Sequence, residues 1–193
     1  MPEFILNLEG APPAWDSLDD FTKGFVEAAF FSETSCFDSS EFFTPAAQHA
    51  VSEGQADGAI PSDAGPSDIE PSMLAKVQGF CADFQRRAAA LLAEAYALDY
   101  DATQAGRDLY FTYAGHGVGY WSRDVLEPSG DAWEETQIPL DRWTPAMRAT
   151  RERLKAESIG QRLSDACGRG EISLTAYESE GAPCGFYVDF YIG

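Results

Sequence analysis

Lysine is nearly missing from this chain: Lys23, Lys76 and Lys155 are the only three in 193 residues. With ten arginines they make 13 basic residues against 32 acidic ones, a formal net charge of −19. That balance argues against direct binding to nucleic acid or anionic lipid, because both need cations to neutralise phosphates. Its corollary is that such a surface attracts a protein whose own site is built for DNA. Taken alone, the charge is explained as readily by solubility or by a salty habitat, and more simply.

Long apolar runs are missing too. The longest resemble Ala88-Ala89-Ala90-Leu91-Leu92-Ala93, far short of a bilayer span. Met1-Pro2-Glu3 leads into no basic segment followed by an apolar one, so the expected location is the cytoplasm. Cysteines are few and scattered. Cys36, Cys81, Cys167 and Cys184 include no C-x-x-C pair, and free thiols packed as small apolar residues are expected. His49 and His116 start no local metal pair, so neither a metal nor a cofactor is expected. A nucleophile elbow, a Walker loop and an H-E-x-x-H helix are also lacking.

What is present is core material. Apolar residues make up 45% and aromatics 13%, enough for one packed domain over residues 1–193. The charge is unevenly spread. Residues 1–72 carry fourteen acids against Lys23 alone, a net of −13, while the rest of the chain nets only −6.

Ser17 reads as the cap of a helix with Asp19 and Asp20 in its first turn and Leu18, Phe21, Phe25, Ala28 and Ala29 facing inward to about Phe31. Residues 32–70 read as an acidic, loop-rich region with a short helical turn near Pro45–Val51. Pro71 opens a long helix with a stripe from Leu74 to Leu98. Next come two expected strands, Asp108–Tyr113 and Val118–Arg123, joined through Gly115-His116-Gly117, whose glycines supply the positive φ a hairpin turn requires. Residues 125–157 look like an insertion that is turn-rich and aromatic. They lead into a charged helix from Pro145 that breaks near Ser158 and resumes to Cys167. Glu171–Tyr177 and Phe186–Ile192 alternate as a final strand pair. The expected fold class is α+β: a single domain with an antiparallel sheet of about four strands packed against long helices.

The run from Asp108 to Trp121, with Gly-His-Gly-x-Gly followed by Tyr120-Trp121, resembles an uncharacterised family of small tailed-phage and prophage proteins. In that family an aromatic strand precedes Gly-His-Gly-x-Gly-aromatic-Trp. Cys81-Ala82-Asp83-Phe84, Leu163-Ser164-Asp165-Ala166 and the aromatic Phe21–Phe31 segment are similar as well, so the likeness covers about two-thirds of the chain. The family pattern continues with an acid and Arg directly after the Trp, whereas this chain reads Ser122-Arg123-Asp124. The resemblance implies a phage or mobile-element origin, an accessory role directed at host defence, and no transferable activity.

Two sets of candidate residues follow. Asp16, Asp19, Asp20, Glu27, Glu33, Asp38 and Glu41 would present phosphate-like charge to a host nucleic-acid-binding protein or defence complex, of CRISPR-effector or restriction type. The alternative is a small hydrolase or transferase centred on His116 as acid or base, with Asp108, Asp124 or Arg123 orienting it. Against that stands His116 as a turn residue bonded to backbone. Tyr110, Tyr113, Tyr120 and Trp121 read as packing more than as a base-stacking platform, because cations around them are few. A third option is a scaffold whose acidity serves only solubility.

Overall fold

A computed structural model describes residues 13–33, 65–178 and 186–193 of the chain. In chain order the elements are α1 (Pro13–Asp16), α2 (Asp20–Glu33), α3 (Pro71–Arg87), α4 (Ala89–Tyr96), α5 (Ala102–Tyr113), α6 (Asp131–Glu134), α7 (Pro145–Glu157), α8 (Ile159–Cys167), β1 (Ile172–Glu178) and β2 (Phe186–Ile192). Short 3-10 turns occupy Pro66–Asp68, Tyr120–Ser122, Asp124–Leu126 and Leu140–Arg142.

Glycine sets the central crossing. A Cβ at Gly24 would overlap the Thr103 carbonyl, and one at Gly106 would overlap the Phe21 carbonyl. α2 and α5 therefore touch backbone to backbone. Gly24 meets Thr103, Phe25 meets Tyr110 and Glu27 pairs with Arg107, so the two helices run side by side in the same direction. α3 runs the opposite way along α2: Phe25 packs on Phe80, Phe21 on Phe84, and Asp19 accepts from Gln85.

The inward stripe of α2 is as expected at Leu18, Phe21, Phe25, Ala28 and Ala29, all buried. Its last turn differs, since Phe30 enters the core and Phe31 is exposed. Its cap differs as well. Asp19, not Ser17, accepts the Thr22 N–H at 2.6 Å, while the Ser17 hydroxyl closes α1 by donating to Ala14 O at 2.7 Å. The expected continuous helix from Pro71 breaks at Ala88, whose φ of −98° and ψ of 13° end α3 and begin α4. The stripe survives the break through Leu92 and Ala95 and stops before Leu98, which is exposed.

The largest correction concerns the hairpin. Asp108–Tyr113 is the second half of helix α5, and Val118–Arg123 is a loop containing a 3-10 turn. Leu109-Tyr110-Phe111-Thr112-Tyr113 favours strand by composition. Yet Asp101 caps the segment by accepting from Gln104 N at 2.7 Å, and α2 packs along it. All residues from Gln104 to Thr112 except Arg107 are buried, so no polar face marks the helical period. Without that hairpin the sheet has two strands among the described residues, not four.

β1 and β2 pair antiparallel from Ile172↔Ile192 to Glu178↔Phe186, turning Leu174, Val188 and Phe190 inward. Ile69 adds an isolated parallel bridge to Val188, and Glu70 N donates to Val188 O at 3.0 Å. The class is α+β, mostly helical, and one apolar cluster runs from Trp15 to Phe190.

The later helices follow the expected plan. Thr144 caps α7 through Met147 N at 3.2 Å, and Ser158 caps α8 through Gln161 N at 3.2 Å. Within residues 125–157, however, Arg151 is not a solvated side chain. Its guanidinium lies over Trp133 at 4.3 Å and Trp143 at 5.2 Å, binding α7 to the aromatic stretch before it.

Among the described residues no helix is long and apolar enough to cross a membrane, and no three His, Cys, Asp or Glu side chains are grouped so as to hold a metal ion. Cys81 and Cys167 are buried free thiols. Burial pushes the Cys167 thiol up to about 12 and the Cys81 thiol higher still, so neither is a nucleophile near neutral pH. The helical turn near Pro45–Val51, Cys36, Cys184, His49, Asp38 and Glu41 lie outside the described residues.

Candidate functional site

Because α2 and α5 run in the same direction, their first turns open at one end of the molecule. Asp16, Asp19 and Asp20 are exposed there, and Asp99 and Asp101 join them from the turn before α5. Tyr96 senses two of these carboxylates: burial, then the charges of Asp19 and Asp101, push its phenol up to about 12. Asp19 and Asp101 are both helix caps, so part of this charge is engaged by the fold. Glu27 stands apart from the group. It is half-buried and accepts from Arg107 Nη2 at 2.8 Å and Nε at 3.1 Å, which neutralises it. Glu33 ends α2, and its side chain is outside the described set.

The other end holds the Gly-His-Gly motif. Gly115 has φ of 77°, as its expected role in a turn requires, but the turn stops a helix. His116 N donates to Phe111 O at 2.9 Å and Gly115 N to Thr112 O at 3.4 Å. These are the paired bonds of a Schellman cap. The His116 ring then stacks on Tyr110, stands edge-on to Phe111 and lies 3.3 Å from the Tyr110 hydroxyl through Nε2.

Asp108 belongs to a different cluster. Its side chain has 0% exposure and forms a fork with Arg123, whose Nε donates to Oδ2 at 2.7 Å and whose Nη2 donates to Oδ1. The Tyr100 hydroxyl donates to the same carboxylate. Burial and the Asp108 charge drive the Tyr100 phenol far above its ordinary range, and the Asp108 bonds hold Arg123 still more firmly protonated. Tyr120 completes the junction by donating its hydroxyl to Ala105 O at 2.7 Å and its N–H to Thr112 Oγ1 at 3.1 Å. This network ties the 120–126 loop to α5. The ring partners of His116 are Tyr110 and Phe111, so the dyad of His116 with Asp108 is not assembled.

His116 opens instead onto a cleft of about 500 Å³ lined by Thr112, Gly115, Trp121, Gln161, Ser164, Asp165, Gly168 and Arg169. Gly160 brings α8 into place: a Cβ there would sit 2.6 Å from Tyr120 O. Gln161 Nε2 donates to Asp165 at 2.8 Å and Ser164 Oγ to Gly160 O at 2.8 Å. Among the described residues Arg169 makes no ion pair. Of the four aromatics of the motif, Tyr110 and Tyr120 are fully buried, Tyr113 is half-buried, and Trp121 is 40% exposed in the cleft.

Sequence reasoning missed Asp165 and Arg169. Both flank the Gly168 stop of α8, which marks them as helix-end residues, but nothing in their spacing joins them to His116, about fifty positions earlier. No family model, no curated protein and no solved structure matches this chain.

Proposed function

We propose that the chain is an inhibitor of a host nucleic-acid-binding defence factor, of CRISPR-effector or restriction type, carried by a phage or mobile element and acting through an acidic surface that imitates DNA. The observation that carries the reading is the gathering of Asp16, Asp19, Asp20, Asp99 and Asp101 at one end, on a chain of net charge −19. Exposed carboxylates on one end of the molecule offer a basic channel what a phosphate backbone offers it. Glu27 drops out of the surface because Arg107 neutralises it, and Asp99 and Asp101 enter it.

The test separates charge from fold. Asp16→Asn, Asp20→Asn and Asp99→Asn are combined, leaving the caps Asp19 and Asp101 intact. Asn suits position 99, where φ is 61°, because it tolerates the left-handed region as Asp does. Wild type captures a basic, nucleic-acid-handling protein from host lysate at low salt, and both high salt and excess duplex DNA release it. The triple variant captures little of that protein while melting close to wild type. A partner that survives salt and DNA, or equal capture by the triple variant, overturns the proposal.

A second reading, a small hydrolase or transferase, has one observation in its favour: His116 faces a cleft. It loses Asp108 as the orienting carboxylate. A folded His116→Ala variant with full biological activity ends it.

A further inference from the structure

The cleft beside His116 has an electrostatic bias of its own. Two helices finish there, α5 at Gly115 and α8 at Gly168. Each helix C-terminus carries the equivalent of about half a negative elementary charge. Arg87 offsets part of this by donating Nη1 to Ala166 O at 3.1 Å. Asp165 contributes one negative charge to the lining and Arg169 one positive, which leaves the helix ends to decide the sign. Trp121, 40% exposed, brings an indole ring to the lining, and the face of such a ring attracts a cation.

Donors and acceptors lean the same way. The Ser164 hydroxyl spends its proton on Gly160 O and keeps its acceptor lone pairs, and the Gln161 amide spends one of its two N–H groups on Asp165. The Asp165 carboxylate and the Ser164 oxygen beside an indole ring suit a guest that is cationic and carries several N–H donors. At about 500 Å³ the space matches a small organic molecule.

We propose that this cleft binds a small organic cation, a guanidinium or ammonium head on a short alkyl stem, held over Trp121 with Asp165 as its counter-ion. Arg169 at the same cleft works against such a guest and would favour an anion, which gives the assignment a signed test. The inference is independent of the acidic end of the molecule.

Calorimetric titration of the full chain with agmatine, butylamine and AMP, each alone, tests it. Saturable binding of agmatine or butylamine without AMP is the expected result, and the preferred one of the two identifies the head group. Trp121→Ala weakens that binding by about tenfold, and Asp165→Asn weakens it comparably while Asn still accepts from Gln161. Arg169→Ala tightens it by about threefold. All three side chains are on the surface, so the variants fold. Binding of AMP in place of the cations, weakening by Arg169→Ala, or cation binding unchanged in Trp121→Ala overturns the proposal. So does the absence of saturable binding for both cations.

Discussion

The two ends of the α2/α5 pair solve the same problem, how to begin and finish two helices in contact, with different chemistry. At the starting end, carboxylates do it: Asp19 and Asp101 cap the helices, and Asp19 also accepts from Gln85 of α3 at 3.0 Å. At the finishing end the α5 stop is made by backbone, through Gly115 and the Phe111 and Thr112 carbonyls. Charge at the starting end is thus partly structural. At the finishing end Trp121, Asp165 and Arg169 are spared that duty. The lesson is that a conspicuous acidic cluster is not all interaction surface, and that the side chains with least to do for the fold surround the cleft.

The contact between the helices holds both ends in place, and breaking it has the largest expected effect. Gly106→Ala forces a Cβ into the Phe21 carbonyl, and backbone cannot move aside as a flexible side chain can. A loss of about 3 kcal/mol or more is expected, enough to prevent folding of a marginal domain. Gly117→Ala is the control, since nothing lies within 4 Å of a Cβ there. Soluble yield and thermal melting of the two variants should diverge widely, and similar melting would mean that the helices are not in backbone contact.

Next in size is Asp108→Asn, which loosens the 120–126 loop at the finishing end and disturbs the Tyr100 hydroxyl from the turn before α5. It leaves the Arg123 guanidinium, one-fifth exposed, facing a neutral amide. Loss of a buried partner costs about 3 kcal/mol, toward the lower end here because Arg123 reaches water. Urea unfolding should show that loss, and agmatine affinity should fall with it, since Arg123 anchors the loop that carries Trp121. Unchanged stability would show the fork to be dispensable.

How much of this was legible beforehand depends on whether a segment keeps a polar face. α3 keeps one and was readable, with Leu74, Val77, Cys81 and Phe84 buried at helical spacing. α5 hardly does: only Arg107 interrupts the burial from Gln104 to Thr112, so its aromatic and β-branched content argued for strand. Gly115 was correctly read as needing positive φ, but a Schellman cap and a hairpin turn share that need. The exposed acids Asp16, Asp19 and Asp20 were legible because charge on a first turn faces water. The pairing of Glu27 with Arg107 was not, because it joins residues eighty positions apart. The cleft was hidden for the same reason: α5, the 120–122 turn and α8 meet through Gly160, and nothing local announces that approach.

The smallest expected effect examines the starting end through its pH dependence. At Asp19 burial pushes the carboxyl up, but the Gln85 side chain, the Thr22 backbone and side chain, and Lys23 together outweigh it and hold the group below 3.8. A group whose folded value lies below its unfolded one stabilises the fold fully above the unfolded value. That contribution fades as pH falls through the folded value. Asp19→Asn keeps an acceptor for the Thr22 N–H, so its cost near neutral pH is under about 1 kcal/mol. The gap between wild type and variant should narrow as pH falls through and below the ordinary carboxylate range. A constant gap would mean that the Asp19 charge does nothing for the fold and is wholly available to a partner.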